Sequence, residues 1–136
     1  MVSASDAVAF AAFDLVTAAF AELDLSGPRV FRRRTAGKPS PPYALIHVSE
    51  TPAFEQAKDK PYSEVRIEVQ CYAGTGAEAD AVAREVIDRF GQRLMPTGFR
   101  VVLQEVENRF AVSAATTTGE PLEGEVVVCR VRVQPD

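Results

Sequence analysis

The sequence predicts an α+β fold: a mainly antiparallel sheet of four to five strands packed by two helices. Three observations predict it. An alanine-rich stretch near the N-terminus repeats apolar residues at helical spacing, Ser63–Tyr72 alternates strictly between apolar and polar residues, and the periodicities follow the order α-β-β-β-α-β-β. With 136 residues, 46% of them hydrophobic and 25% charged, the chain reads as one folded domain over 1–136 rather than a disordered segment.

The first helix is expected from about Ser5 to Leu23, with Ser3 or Ser5 as its cap, Asp6 at its positive end and Ser26-Gly27-Pro28 as its stop. Val8, Ala12, Leu15, Ala19 and Leu23 form one stripe, and Phe10, Phe13, Val16 and Phe20 widen it around the helix. A helix apolar on most sides needs partners on more than one side. One side is assigned to the sheet and the other to a neighbouring subunit, with Phe10, Phe13 and Phe20 as the candidate subunit interface.

A short strand, Arg29–Arg33, follows, then a stiff linker from Arg34 to Pro42 containing Pro39, Pro41 and Pro42. Tyr43–Val48 reads as the second strand, and Ser49–Pro61 is longer than a hairpin loop needs. In the third strand, Ser63, Val65, Ile67, Val69 and Cys71 face one way and Glu64, Arg66, Glu68, Gln70 and Tyr72 the other.

Thr75 and Glu78 make a capping box ahead of a second helix, whose single stripe is Ala79, Val82, Ala83, Val86, Ile87 and Phe90 and whose end falls near Gly91. Phe99–Val106 and Glu125–Val133 are the last two strands, with a long hairpin expected between them.

A net charge of -4 and a pI near 5.1 argue against a dedicated nucleic-acid-binding domain, whose affinity rests on Lys and Arg. Cys71 and Cys129 lack metal-ligand spacing and read as free, buried thiols, which suits a reducing compartment. The N-terminal apolar stretch has no basic leader and is broken by Asp14, so neither a signal peptide nor a membrane span is expected, and the cytoplasm is the expected site of folding.

No catalytic, metal or cofactor site emerges. His47 is the only histidine and has no ligand-spaced neighbours, so a satisfied or surface histidine is expected. The Glu64/Glu68 and Glu105/Glu107 pairs alternate as solvated strand faces do. Gly74-Thr75-Gly76 lacks the third glycine of a dinucleotide turn and the lysine of a P-loop. The one marked charge cluster, Arg32-Arg33-Arg34 extended by Lys38, is a candidate docking patch for an acidic protein surface or the DNA backbone.

Arg29-Val30-Phe31 with the proline run and Pro42–Ile46, Glu64–Tyr72, Gly76–Ala79 opening a helix that ends near Phe90, Gly98–Val102 and the valine-rich last strand together resemble the tail terminator (tail-completion, head–tail joining) family of long-tailed phages and prophages. The resemblance spans nearly the whole chain and rests on no diagnostic motif. It implies a homo-oligomeric ring, typically hexameric, that caps the tail tube, ends tube growth and offers a surface to head-completion or connector proteins. Its location would be the virion tail or neck after assembly in host cytoplasm, with only non-specific proximity to DNA and no membrane.

Other head–tail connector or neck proteins fit the same pattern. A small-molecule-binding domain using His47 with Arg66 or Tyr72, and a DNA-associated factor acting through Arg32–Arg34, are the alternatives from other classes.

Overall fold

The computed structural model describes residues 3–25, 29–32, 40–52, 62–115 and 121–136. The first helix, α1 (Ala4–Glu22), begins where the Ser3 hydroxyl accepts the Asp6 amide at 3.1 Å. That amide is one of the donors a helix start leaves without an internal partner.

At its other end α1 stops before the Ser26-Gly27-Pro28 triplet. Asp24 adopts a φ of 57°, the Leu25 amide donates to the Phe20 carbonyl at 3.0 Å, and the Asp24 amide donates to Ala21 at 3.0 Å. These two bonds are the closure of a Schellman motif, with aspartate where glycine is usual. Aspartate tolerates the left-handed region through its short polar side chain, and the helix ends within a residue of the expected Leu23.

The strands are β1 (Val30–Arg32), β2 (Tyr43–Pro52), β3 (Ser63–Ala73), β4 (Phe99–Ala115) and β5 (Pro121–Pro135), with α2 (Gly76–Arg89) between β3 and β4. They form one sheet in the order β1-β2-β3-β5-β4. β1 pairs with β2 in parallel and every other neighbouring pair is antiparallel. The result is a mixed sheet in an α+β fold with the α-β-β-β-α-β-β order that the periodicities predict. The last two strands extend well past Val106, and β4 carries register shifts at Val101/Leu103 and Val106/Asn108.

Both helices lie on one face of the sheet, α1 over β1, β2 and β3, and α2 over β3 and β5. Val8, Ala12, Val16 and Ala19 of α1 are fully buried, in one cluster with Ile46, Ile67, Val69 and Val131 of the sheet. The small alanines let the helix axis approach the strands closely while valine fills the remaining volume. By length and composition α1 is apolar enough to cross a membrane. Here that apolarity meets protein on two sides, because α1 also packs on α2. Much of the second apolar side, assigned from sequence to a neighbouring subunit, is therefore covered from within the chain.

Val65, Ile67, Val69 and Cys71 point into the core as the alternation predicts. On β5, Val126 and Val128 are also buried although they face away from the helices, since that strand is flanked by β3 and β4. Cys71 and Cys129 are free and buried, standing opposite Glu125 and Ile67 rather than each other.

α2 is closed at both ends. The Thr75 hydroxyl accepts the Glu78 amide at 3.2 Å. At the C-terminus the Gln104 side chain of β4 donates to the carbonyls of Phe90 at 2.8 Å and Gln92 at 2.7 Å, and accepts the Leu94 amide at 2.8 Å. One amide thus serves three backbone groups that the helix end would otherwise leave unpaired.

Candidate functional site

The sheet divides the molecule into a helix-covered face and an open one. On the covered face, Arg109 of β4 bonds Asp80 of α2 and reaches Glu125 of β5 at 3.3 Å, while Arg89 of α2 bonds Glu22 of α1 at 3.2 Å. These pairs fix the helices to the sheet and to each other.

On the open face the register brings carboxylates from two strands around one arginine. Glu68 stays outside, opposite Val128. Arg130 of β5 bonds Glu105 of β4 and lies 3.4 Å from Glu107 and 3.6 Å from Glu64 of β3. Arg132 bonds Glu64 at 2.9 Å and stacks its guanidinium 4.7 Å from the Tyr62 ring centroid. Three carboxylates thus share two guanidinium groups across three neighbouring strands.

The opposite end of the open face is aromatic. The Tyr43 ring lies 5.5 Å from Tyr72 and 6.4 Å, edge on, from Phe31. Burial among these rings pushes both tyrosine hydroxyls above their ordinary pKa, and the Tyr72 hydroxyl donates to Gln70 at 3.0 Å.

The residues named from sequence for a ligand site do not converge. His47 stands opposite Glu68, and Arg66 and Tyr72 are six positions apart along β3, about 20 Å of strand. Among the described residues, no group of three or more His, Cys, Asp or Glu is arranged to hold a metal ion.

Exposed apolar side chains lie on β4, at Val102 and Phe110, and also at α1 and the turn before β4. Phe10 is 61% exposed, Phe13 38% and Met95 89%, whereas Phe20 is 2% exposed and belongs to the core. Phe10 and Met95 line one groove, with Ala7, Ala11 and Asp14 of α1 on one wall and Pro96 and Thr97 on the other. The Pro96–Phe99 turn holds that second wall, closed by the Phe99 amide on the Pro96 carbonyl at 3.2 Å with Gly98 at φ 83°. Phe13 borders a second cleft with Thr17, Leu25 and Arg29. Met95 was not singled out from sequence. It sits in an apolar Leu94-Met95-Pro96 run whose other two residues are buried.

Of the basic cluster, Arg32 turns inward: it bonds Asp6 at 2.6 Å and lies 6.0 Å from the Phe10 ring centroid. It therefore ties β1 to the start of α1. Arg33, Arg34 and Lys38 lie outside the described residues.

The fold is shared with a virion chain. A chain from the structure described as the virion of a native gene transfer agent particle superposes with a TM-score of 0.67, covering 90% of this chain and 91% of its own length at 19% identity. At that identity the likeness is one of fold. No protein-family model matches this sequence, and no curated protein matches it.

Proposed function

We propose that this chain is a structural subunit of a phage or prophage virion, acting by assembly and not by catalysis. In this reading it forms a ring that caps the tail tube, ends tube growth and provides the surface on which the head docks. The observation that carries the reading is the shared fold with a chain of the gene transfer agent virion, spanning nine-tenths of both chains.

The surface chemistry supports it. Phe10 and Met95 are exposed and line one groove, with Phe13 exposed beside a second cleft, and large exposed apolar side chains mark a protein-binding surface. The partners are further copies of this chain, in a ring taken as hexameric, with the tail-tube protein on one side and a head-completion or connector protein on the other. Arg33, Arg34 and Lys38 remain candidates for the lumen or the docking surface, where contact with passing DNA would be sequence-independent.

The test is deletion of the gene from a producing strain, followed by electron microscopy. Tube lengths that lose their upper limit, with filled heads left unjoined, are expected. Tails of normal length on joined particles would sink the proposal. Normal tube lengths with unjoined heads would assign the chain to another position in the neck.

A further inference from the structure

Two stretches of the chain are sorted by sign of charge. From Ser3 to Leu25, which contains α1, the acids are Asp6, Asp14, Glu22 and Asp24, and there is no basic residue. From Arg89 to Gln104, which contains the turn before β4, the bases are Arg89, Arg93 and Arg100, and there is no acid. Within the molecule Asp6 pairs with Arg32, and Glu22 with Arg89. Asp14, Asp24, Arg93 and Arg100 are left, all exposed and none in an ion pair among the described residues.

The two arginines belong to a knob. They line one groove together with Met95, which lies between them in the chain and is 89% exposed. Arg100 donates to Gln134 at 2.7 Å and Arg93 to the Val101 carbonyl at 3.4 Å, bonds that leave both charges in place. Asp136 is the one acid on that groove, and it pairs with neither.

The two aspartates belong to a cleft. Phe13, Thr17 and Ala21, four residues apart on α1, wall it with Leu25 just past the helix end. Asp14 follows Phe13 in the chain and Asp24 precedes Leu25. Arg29 lines the same cleft, its guanidinium bonded to the carbonyls of Ser40 and Pro42. The cleft measures about 300 Å³, the floor of the range for small-molecule sites and room for a side chain or two. Each surface therefore has an excess of one sign: two arginines to one acid at the knob, two aspartates to one arginine at the cleft.

From this sorting we infer that Met95 of one copy enters the Phe13–Thr17–Leu25 cleft of a second copy, with Arg93 and Arg100 beside Asp14 and Asp24. Methionine is unbranched and adapts to an irregular apolar cleft. Opposite charges around the contact set its orientation and disfavour knob on knob or cleft on cleft. Knob and cleft are different patches, so the contact is heterologous and, repeated with a fixed rotation, closes into a ring. The inference rests on the reading of the chain as an assembling subunit and adds which surfaces meet.

Charge reversal on each surface tests it. Sedimentation velocity is run on the wild type, on Asp14→Arg, on Arg93→Asp, and on an equimolar mixture of the two variants. Both positions are exposed and unpaired, and circular dichroism checks that each variant folds. The wild type is expected to assemble and each variant alone to need about tenfold or more higher concentration. The mixture is expected to recover, because every contact in an alternating ring again joins opposite charges.

Met95 itself supplies a second measurement, being the sole methionine among the described residues. Hydrogen peroxide transfers one oxygen to the thioether, leaving the sulfoxide and water, and mass spectrometry of the peptide follows the rate. Assembled wild type should lose most of the oxidation rate seen in dilute solution, and this result decides where a variant does not fold. A wild type that stays monomeric at all concentrations, variants that assemble normally, a folded mixture that stays dissociated, or one oxidation rate for assembled and dilute protein would each overturn the inference. Rings built on this contact by a chain that proves dispensable for the particle would remove the proposed function and leave the docking standing.

Discussion

Gly124 of β5 lies directly against the ring of Tyr72 on β3: a Cβ at that position would meet Tyr72 Cδ1 and Cε1 at 3.0 Å and Val112 Cγ2 at 2.7 Å. The glycine is there because two neighbouring strands fill the space a side chain would take. Gly124→Ala forces the tyrosine ring and the valine apart at the aromatic end of the open face. A loss of about 1–3 kcal/mol is expected, the usual cost of overpacking, read from the midpoint of a urea unfolding curve. An unchanged midpoint would mean that the ring swings away freely.

Asp24 gives the opposite case. It holds a left-handed φ of 57° to close α1, which glycine adopts without a Cβ penalty. Asp24→Gly is expected to raise stability by about 0.5–1 kcal/mol, after the entropy glycine adds to the unfolded chain. Thermal melting at fixed ionic strength reads it, and a lowered midpoint would indicate a further role for the carboxylate.

The three phenylalanines of α1 are expected to separate by assay. Phe20, at 2% exposure, is a core residue, and Phe20→Ala should cost about 3–5 kcal/mol. Phe10→Glu and Phe13→Glu, on the exposed side of the helix, should leave the unfolding midpoint within about 0.5 kcal/mol and reduce assembly on sedimentation. Loss of folding in either glutamate variant would show that these rings are internal supports.

Burial pushes the thiols of Cys71 and Cys129 up to about 12. In the unfolded chain a thiol ionises near its ordinary value of 9.0. Above that pH the unfolded state releases protons that the folded state retains, so stability falls as pH rises. The contribution of each thiol is fully present below about pH 9 and is lost progressively between about 9 and about 12. Urea titrations from pH 7 to 10.5 should show a steepening loss at the top of the range that Cys71→Ala makes shallower. A slope identical in the variant would assign the alkaline loss to other groups.

What was legible in the sequence was what depends on local period and local chemistry. The 3.6-residue repeat of α2, its Thr75 cap and the alternation in β3 each appear as read, because each is decided by residues within a few positions. The end of α1 falls within a residue of the Leu23 expected, and only its closing device was hidden, since an aspartate in the left-handed region leaves no mark of its own. The inward turn of Arg32 onto Asp6 and the gathering of Glu64, Glu105 and Glu107 around Arg130 were hidden for another reason. Both depend on which strands become neighbours, and strand order is settled by the packing of the whole chain. The exposed Phe10 and Phe13 were named together with the buried Phe20 because helical spacing shows an apolar face without showing how much of it another helix will cover.

β5 is the last strand in chain order, yet it sits between β3 and β4 with partners on both sides. A nascent chain that has reached only β4 therefore has no strand to join its two halves, and an interior edge of β3 stands bare beside an unsupported β4. Subunits released at that stage would expose extra strand edges, the kind of surface that recruits the wrong partner. Placing the closing strand late makes the continuous five-stranded sheet a property of chains translated through β5, so incomplete products lack it.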